Sequence, residues 1–275
     1  FRRPAITDVS GTPLAEAHTR LVHWALPDGI EPIVVAGGDG TWSKCAVALA
    51  RAGSPARMAL VAAGTGNDFA KNFRAPFRDF EAMAQLVATG GEERRVDLGR
   101  VGDHLFTNVA GFGFDVVVSQ AAARYPNLRG PAVYVAGALS QLLRYEGLDA
   151  RIEGVDGEDP ARTRRRLMLV FANGKEFGGT FPIAPGARID DGLIHAIVFT
   201  ESSRAARIPL LISALRGTHL RHRMVRHTAG DRFALEFTSR PWFELDGDLH
   251  ESATTRLEVG VLRGALRVLD APQPG

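Results

Sequence analysis

The sequence predicts an α/β domain followed by a β-rich one. Three observations carry this: apolar runs alternate with helical periodicity up to about Gly91, strand-like runs follow from about Arg94, and glycine clusters end the first strands. In order, PIVVA (32–36) reads as a strand and TWSKCAVALARAG (41–53) as a helix. MALVAAG (58–64) is the next strand, NDFAKNF (67–73) a helix start, and DFEAMAQLVATGG (79–91) a second full helix. Alternation of this kind implies a parallel sheet covered by helices. The later runs VDLGRV, HLFTNVAG, LDARIEGV, RRLMLVFANG, GLIHAIVFT, DRFALEFT and RLEVGVL are separated by Gly, Pro and Asp, as strands are. Helical interruptions are expected near Val133–Tyr145 and Ala205–Arg216. The α/β domain is expected to take residues 1–94 plus about 262–275, and the β-rich domain 95–261.

Composition limits the function classes. A chain of 275 residues with 45% hydrophobic content supports one or two cores, and no apolar run approaches the ~18 residues that a membrane span needs. The sole cysteine, Cys45, excludes a disulfide framework and thiolate metal clusters, and the opening FRRPAITDVSG lacks an export-signal layout. A cytoplasmic protein is expected. A net charge of +2 is too small to imply nucleic acid. Thirty of the 33 basic residues are Arg, and RTRRR (162–166) and RGTHLRHRMVRH (216–227) concentrate them. Each cluster reads either as a solvated edge or as a contact for anionic headgroups.

The glycine clusters carry the chemistry. GGDGT (37–41) closes a strand and opens a helix, which gathers bare backbone N–H groups and the positive end of a helix dipole in one small volume. That volume suits phosphate; the alternative is an ordinary glycine-rich turn. A carboxylate at Asp39 would repel phosphate unless a divalent cation or a proton transfer involves it. GTGND (64–68) repeats the arrangement, with Thr65 able to donate to a phosphate and Asn67 and Asp68 able either to cap the next turn or to reach ligand. Two such loops on neighbouring parallel strands would lie side by side at the sheet's C-terminal edge. GFGFDVV (111–117) lacks dinucleotide-loop spacing and reads as a tight β-turn lining the cleft, while His219, His222 and His227 read as basic surface.

GGDGT, then GTGND about 25 residues later, FTNVAGFGFD, NGKEFGGTFPIAPGARIDDGLI and ELDGD together resemble the diacylglycerol kinase catalytic-domain family of lipid kinases, from about Ile33 to Asp248. The resemblance implies a three-layer α/β nucleotide-binding domain, a C-terminal β-sandwich, and an active site in the cleft between them. It implies ATP and Mg²⁺ as cofactors and a lipid alcohol, diacylglycerol-like, as acceptor. It places the ATP phosphates on Gly37, Gly38, Asp39, Gly40, Thr41, Trp42, Ser43 and Lys44, with Thr65 and Asn67 from the second loop and Ser10 or Thr12 upstream. It implies a Mg²⁺ site at Asp191 with the carbonyls of Arg188 and Leu193; Asp190-Asp191-Gly192 also reads as a plain turn. Asp248 is the implied general base, with Asp246 beside it and Asp39 as rival. Relatives usually read GGDGT-x-N-E and D-G-E, where this chain has Ser43, Lys44 and Asp248. Those departures motivate a second reading, a nucleotide-binding regulator with altered catalysis; a NAD kinase is the third. Contact with a membrane surface, through RIPLLISALRG (207–217) unless that helix simply packs in the core, and a homodimer complete the expectations.

Overall fold

The structure, a computed structural model, describes residues 32–122, 141, 144–179, 181–201 and 203–272. Ser10, Thr12 and most of the helix expected near Val133–Tyr145 lie outside the described residues. The chain opens with β1 (Ile33–Gly37), α1 (Asp39–Arg51), β2 (Arg57–Ala62) and α2 (Phe80–Thr89). β1 and β2 pair in parallel from Ile33↔Met58 to Gly37↔Ala62. Trp42, Cys45, Ala46 and Leu49 recur at helical spacing on α1 and are buried against Val35, Met58 and Leu60. The Asp79 carboxylate caps α2 by accepting from the amides of Glu81 and Ala82.

The β-rich part follows: β3 (Glu92–Val101), β4 (His104–Phe106), β5 (Val109–Gly113), α3 (Phe114–Ala122), β6 (Leu148–Glu153), β7 (Arg164–Ala172), β8 (Ile194–Thr200), α4 (Arg204–Leu215), β9 (Val225–Gly230), β10 (Arg232–Phe237), β11 (Trp242–Leu245), β12 (Asp248–Glu251) and β13 (Arg256–Asp270). Phe106, Phe112, Phe171, Phe233 and Phe243 fill its core, with Phe112 stacked between Phe237 and Phe243 at 5.4 and 5.6 Å. The hydrogen-bonded sheet does not stop between the two parts. β13 pairs antiparallel with β3 and β10 and parallel with β2, sending Leu266, Val268 and Leu269 into the first core and Val259 into the second. Its ladder with β3 is broken once, between Leu262 and Leu266. There the buried Asp97 carboxylate accepts from Gly264 N and from Gly192 N, each at 2.7 Å.

Three expectations need correction. NDFAKNF forms only a single helical turn, Ala70–Asn72, because Asn67 adopts φ 54° and Asp68 is held by Lys71 and by the Gly179 amide. GFGFDVV is not a β-turn: β5 runs through Gly113 and α3 starts at Phe114, which buries Asp115. Of the histidines read as basic surface, His219 is not on the surface, while His227 stays exposed. His219 is fully buried with its imidazole against the Ile183 carbonyl at 2.9 Å, and His227 stacks on His195 with a 2.8 Å ring-nitrogen contact.

Candidate functional site

The two glycine loops meet through bare backbone. A Cβ on Gly64 would come 2.5 Å from the Gly38 Cα, and one on Gly38 would come 3.0 Å from the Gly64 Cα. Asn67 holds the second loop in this position by donating to the Gly64 carbonyl at 2.7 Å. Gly38 is the N-cap of α1 and supplies no side-chain acceptor, so the first amides of the helix remain for a ligand. Asp39 Oδ1 accepts from Phe69 N at 3.0 Å, which ties the first loop to the turn after the second. Burial raises the Asp39 carboxyl above its ordinary range; the charges of Asp68 and Asp246 add to this, and the Phe69 amide opposes it.

The β-rich part approaches from the other side. Asp246 (φ 49°) and Gly247 (φ 96°) form the two-residue turn between β11 and β12, the conformation that Asp-Gly hairpins favour. The Asp246 carboxylate is saturated. Oδ1 accepts from Asn108 N at 2.9 Å and Val109 N at 3.0 Å. Oδ2 accepts from Thr107 N at 2.7 Å, Thr107 Oγ1 at 2.8 Å and Ser43 Oγ at 2.7 Å. Ser43 belongs to α1, so this hydroxyl joins the phosphate-loop helix to the hairpin. A second link is Lys71, whose Nζ donates to Asp68 at 2.7 Å, Glu176 at 2.6 Å and the Gly179 carbonyl at 3.1 Å.

Between these loops lies a polar cavity of about 820 Å³ measured out to its mouth. Asp39, Thr65 and Asp68 line it from one side, and Asn108, Glu244, Asp246 and Gly247 from the other. Phe177 and Gly178 line it too, and they also line a second cavity of about 720 Å³, walled by Phe114, Val118, Leu167, Phe199, Leu210 and Leu211. A polar chamber thus adjoins an apolar one.

Two buried acids stand at this boundary, Asp115 beside the apolar cavity and Glu244 beside the polar one. Gly111 lies opposite Glu244 in the β5–β11 pairing, and a Cβ there would fall 1.7 Å from Asp115 Oδ2. The missing side chain lets the two carboxyls meet. Glu244 Oε1 accepts from Gly247 N, while Glu244 Oε2 and Asp115 Oδ2 are buried with no donor but each other. Burial, with the neighbouring acid, lifts Glu244 well above the carboxylate range, and burial lifts Asp115 to about 6. Two such groups in contact hold a shared proton near neutral pH. Sequence reasoning missed both; the available signal was an acid directly after the alternating glycines of GFGFD and another opening ELDGD.

Of the residues named from sequence, the fold brings Gly38, Asp39, Ser43, Thr65, Asn67 and Asp246 together. Gly37 packs against the Thr41 side chain. Trp42 is fully buried, its indole N–H donating to the Val35 carbonyl at 3.1 Å, so its ring anchors α1 and cannot touch a ligand. Lys44 is half-buried on α1 and does not line the cavity. Asp248 is exposed at the start of β12; Gly247, one residue before it, is the last part of the hairpin in the cavity wall. Arg188, Asp191 and Leu193 lie in the turn before β8, away from the cavity wall. There Asp191 Oδ1 accepts from Leu193 N at 3.0 Å and Arg188 pairs with Asp190 at 3.3 Å. Among the described residues, no three His, Cys, Asp or Glu side chains converge to hold a metal ion. An ion beside Asp39 would therefore draw its other ligands from phosphate oxygens and water, as Mg²⁺ commonly does.

Comparison with known proteins finds matches along most of the chain. The family model "Diacylglycerol kinase catalytic domain" matches residues 3–101, and "YegS C-terminal NAD kinase beta sandwich-like domain" matches residues 108–270. A Pseudomonas aeruginosa protein named "Probable lipid kinase YegS-like" is 31% identical over 261 residues, covering 90% of this chain and 80% of its own. A Mycobacterium tuberculosis protein named "Diacylglycerol kinase" is 30% identical over 250 residues, covering 89% and 78%. A crystal structure described as a diacylglycerol kinase from Bacillus anthracis superposes with a TM-score of 0.69 at 19% identity, over 95% of this chain and 83% of that one.

Proposed function

The chain belongs to the diacylglycerol kinase and YegS-like family of lipid kinases, and from that premise we propose that it transfers the γ-phosphoryl group of ATP to the hydroxyl of a diacylglycerol-like lipid. The observation that supports this reading is the junction of unlike cavities. The polar one offers glycine-loop amides and Thr65 to phosphates, and the apolar one, reached past Phe177 and Gly178, offers room for an acyl chain. A hydroxyl at their boundary would face the transferable phosphate. Phosphoryl transfer asks a protein mainly to position the reactants and to stabilise negative charge.

Mg²⁺, when bound, offsets the charge of the phosphates. Asp39 is the acid whose placement suits it: Oδ1 is held by Phe69 N, and Oδ2 faces the Gly66 side of the second loop. Asp246, with five donors already on its carboxylate, acts by fixing the hairpin and the 107–109 amides in place. A further Mg²⁺ at Asp191 and the carbonyls of Arg188 and Leu193 has an oxygen-only donor set and is assigned an organising role. The hydroxyl proton has two candidate acceptors, Asp39 in the wall and Asp248 at the rim. Asp248→Asn abolishes turnover with little change in ATP affinity if Asp248 is the base; wild-type-like turnover assigns the role to Asp39. The Ser43 departure does not favour a regulator, because Ser43 makes the contact that joins the two halves of the site.

No helix among the described residues is long and apolar enough to cross a membrane. A cytoplasmic enzyme meeting its substrate at the bilayer surface is the setting this reading implies. Measuring ATP turnover against diacylglycerols, other lipid alcohols, sphingoid bases and NAD tests the proposal. Phosphorylation of NAD alone, or of nothing, would overturn it.

A further inference from the structure

α4 has two apolar faces with different neighbours. Leu210, Leu211 and Ala214 line the apolar cavity. Ile208, Ile212 and Leu215, at i, i+4 and i+7, form one stripe on the other side and are 47%, 43% and 39% exposed. The side chain of Arg207, on the inner face, is committed to the Tyr145 carbonyl and Glu201. A stripe of three large apolar residues facing water on a helix that already covers a cavity is unlike scattered surface apolars.

The surroundings of the stripe select its partner. From Ser202 to Gly230 the sequence has six Arg and three His and no acid. Arg204 and Arg216 bracket α4, and Arg221 and Arg223 follow in the turn that packs beside it; all four are exposed. Among the described residues no acid pairs with any of the four. An apolar ridge inside a belt of exposed guanidinium groups complements an anionic lipid surface, where the ridge meets acyl chains and the belt meets headgroup phosphates.

We propose that α4 is the membrane-docking element. Ile208, Ile212 and Leu215 dip into an anionic bilayer, Arg204, Arg216, Arg221 and Arg223 rest on its headgroups, and the lipid's acyl chain passes under the helix into the cavity lined by its inner face. The proposal rests on the lipid-kinase reading for the identity of the cargo, and on the charge and exposure of α4 alone for the docking. Docking is therefore read without catalysis.

The test is co-sedimentation with vesicles of phosphatidylcholine alone or mixed with phosphatidylglycerol, using wild type, Ile208→Asp/Ile212→Asp and Arg216→Glu/Arg221→Glu. Wild type binds the anionic vesicles, less so as salt rises. Each double variant lowers the partition coefficient about tenfold or more, at roughly 1 kcal/mol per surface arginine and 1.4 kcal/mol per decade. Both keep the wild-type melting temperature, because the substituted side chains face water, and both keep turnover of a short-chain diacylglycerol dispersed in solution. Equal vesicle binding by wild type and variants overturns the docking role. So does a wild-type dimer by light scattering that Ile208→Asp/Ile212→Asp converts to a monomer, since the ridge would then be covered by a second copy of the chain. Vesicle binding that depends on α4 without phosphorylation of any lipid retains the docking surface and removes the kinase reading.

Discussion

Gly40 separates what the fold needs from what a ligand needs. It is the second residue of α1, exposed, and a Cβ built on it meets nothing within 4 Å. Glycine in a helix is less stable than alanine by roughly 0.5–1 kcal/mol, so backbone entropy favours Gly40→Ala and no clash opposes it. The free protein should gain up to about 1 kcal/mol, or about 2–4 °C in melting temperature for a chain of this size. The ligand-bound state should respond in the opposite sense. The new methyl would stand where a phosphate has to approach the first amides of α1, and loss of one hydrogen bond to a charged group is worth ~1.5–3 kcal/mol, or roughly 10- to 100-fold in Kd. Gly64→Ala is the contrast, because its Cβ would lie 2.5 Å from the Gly38 Cα and must push the two loops apart. That variant should lose both stability and affinity. Scanning calorimetry of the free proteins and titration calorimetry with Mg²⁺·ATP read the two effects separately. Unchanged ATP affinity in a stabilised Gly40→Ala protein would refute the assignment of phosphate to this helix start.

Ser43→Ala removes the one donor to Asp246 that comes from α1, leaving four others. It should cost about 1 kcal/mol in chemical denaturation and lower kcat more than it weakens ATP binding. The Asp115–Glu244 pair binds protons more tightly folded than unfolded, so the stability it allows is full below about pH 4 and declines as pH rises through 6. Glu244→Gln can still accept from Gly247 N and can donate to Asp115 without a titrating proton. Its melting temperature relative to wild type should therefore climb with pH across that window, and a parallel pair of curves would count against the shared proton. Mg²⁺ should raise the wild-type melting temperature over its value in chelator, and Asp191→Ala should remove most of that difference; a wild type indifferent to Mg²⁺ would reject the second cation site.

Local chemistry made the first half legible. PIVVA and MALVAAG became β1 and β2, TWSKCAVALARAG became most of α1, and the helix expected at Ala205–Arg216 is α4, Arg204–Leu215. Apolar periodicity reports which side of an element is buried, and glycine clusters report where backbone must come close, so both survive in one dimension. The sequence likewise contained the acid-free basic stretch around α4, but the order of residues did not say that Leu210 and Leu211 turn inward while Ile208 and Ile212 face water. Tertiary structure decided the rest. Asp115 and Glu244 are 129 positions apart and become one proton-sharing pair only because Gly111 leaves space between strands. Asp246 gathers donors from residues 43 and 107–109, and Asp248, two positions later, stays exposed. A carboxylate's solvation and partners are set by whichever segments pack around it, and those arrive from distances along the chain that no local pattern records.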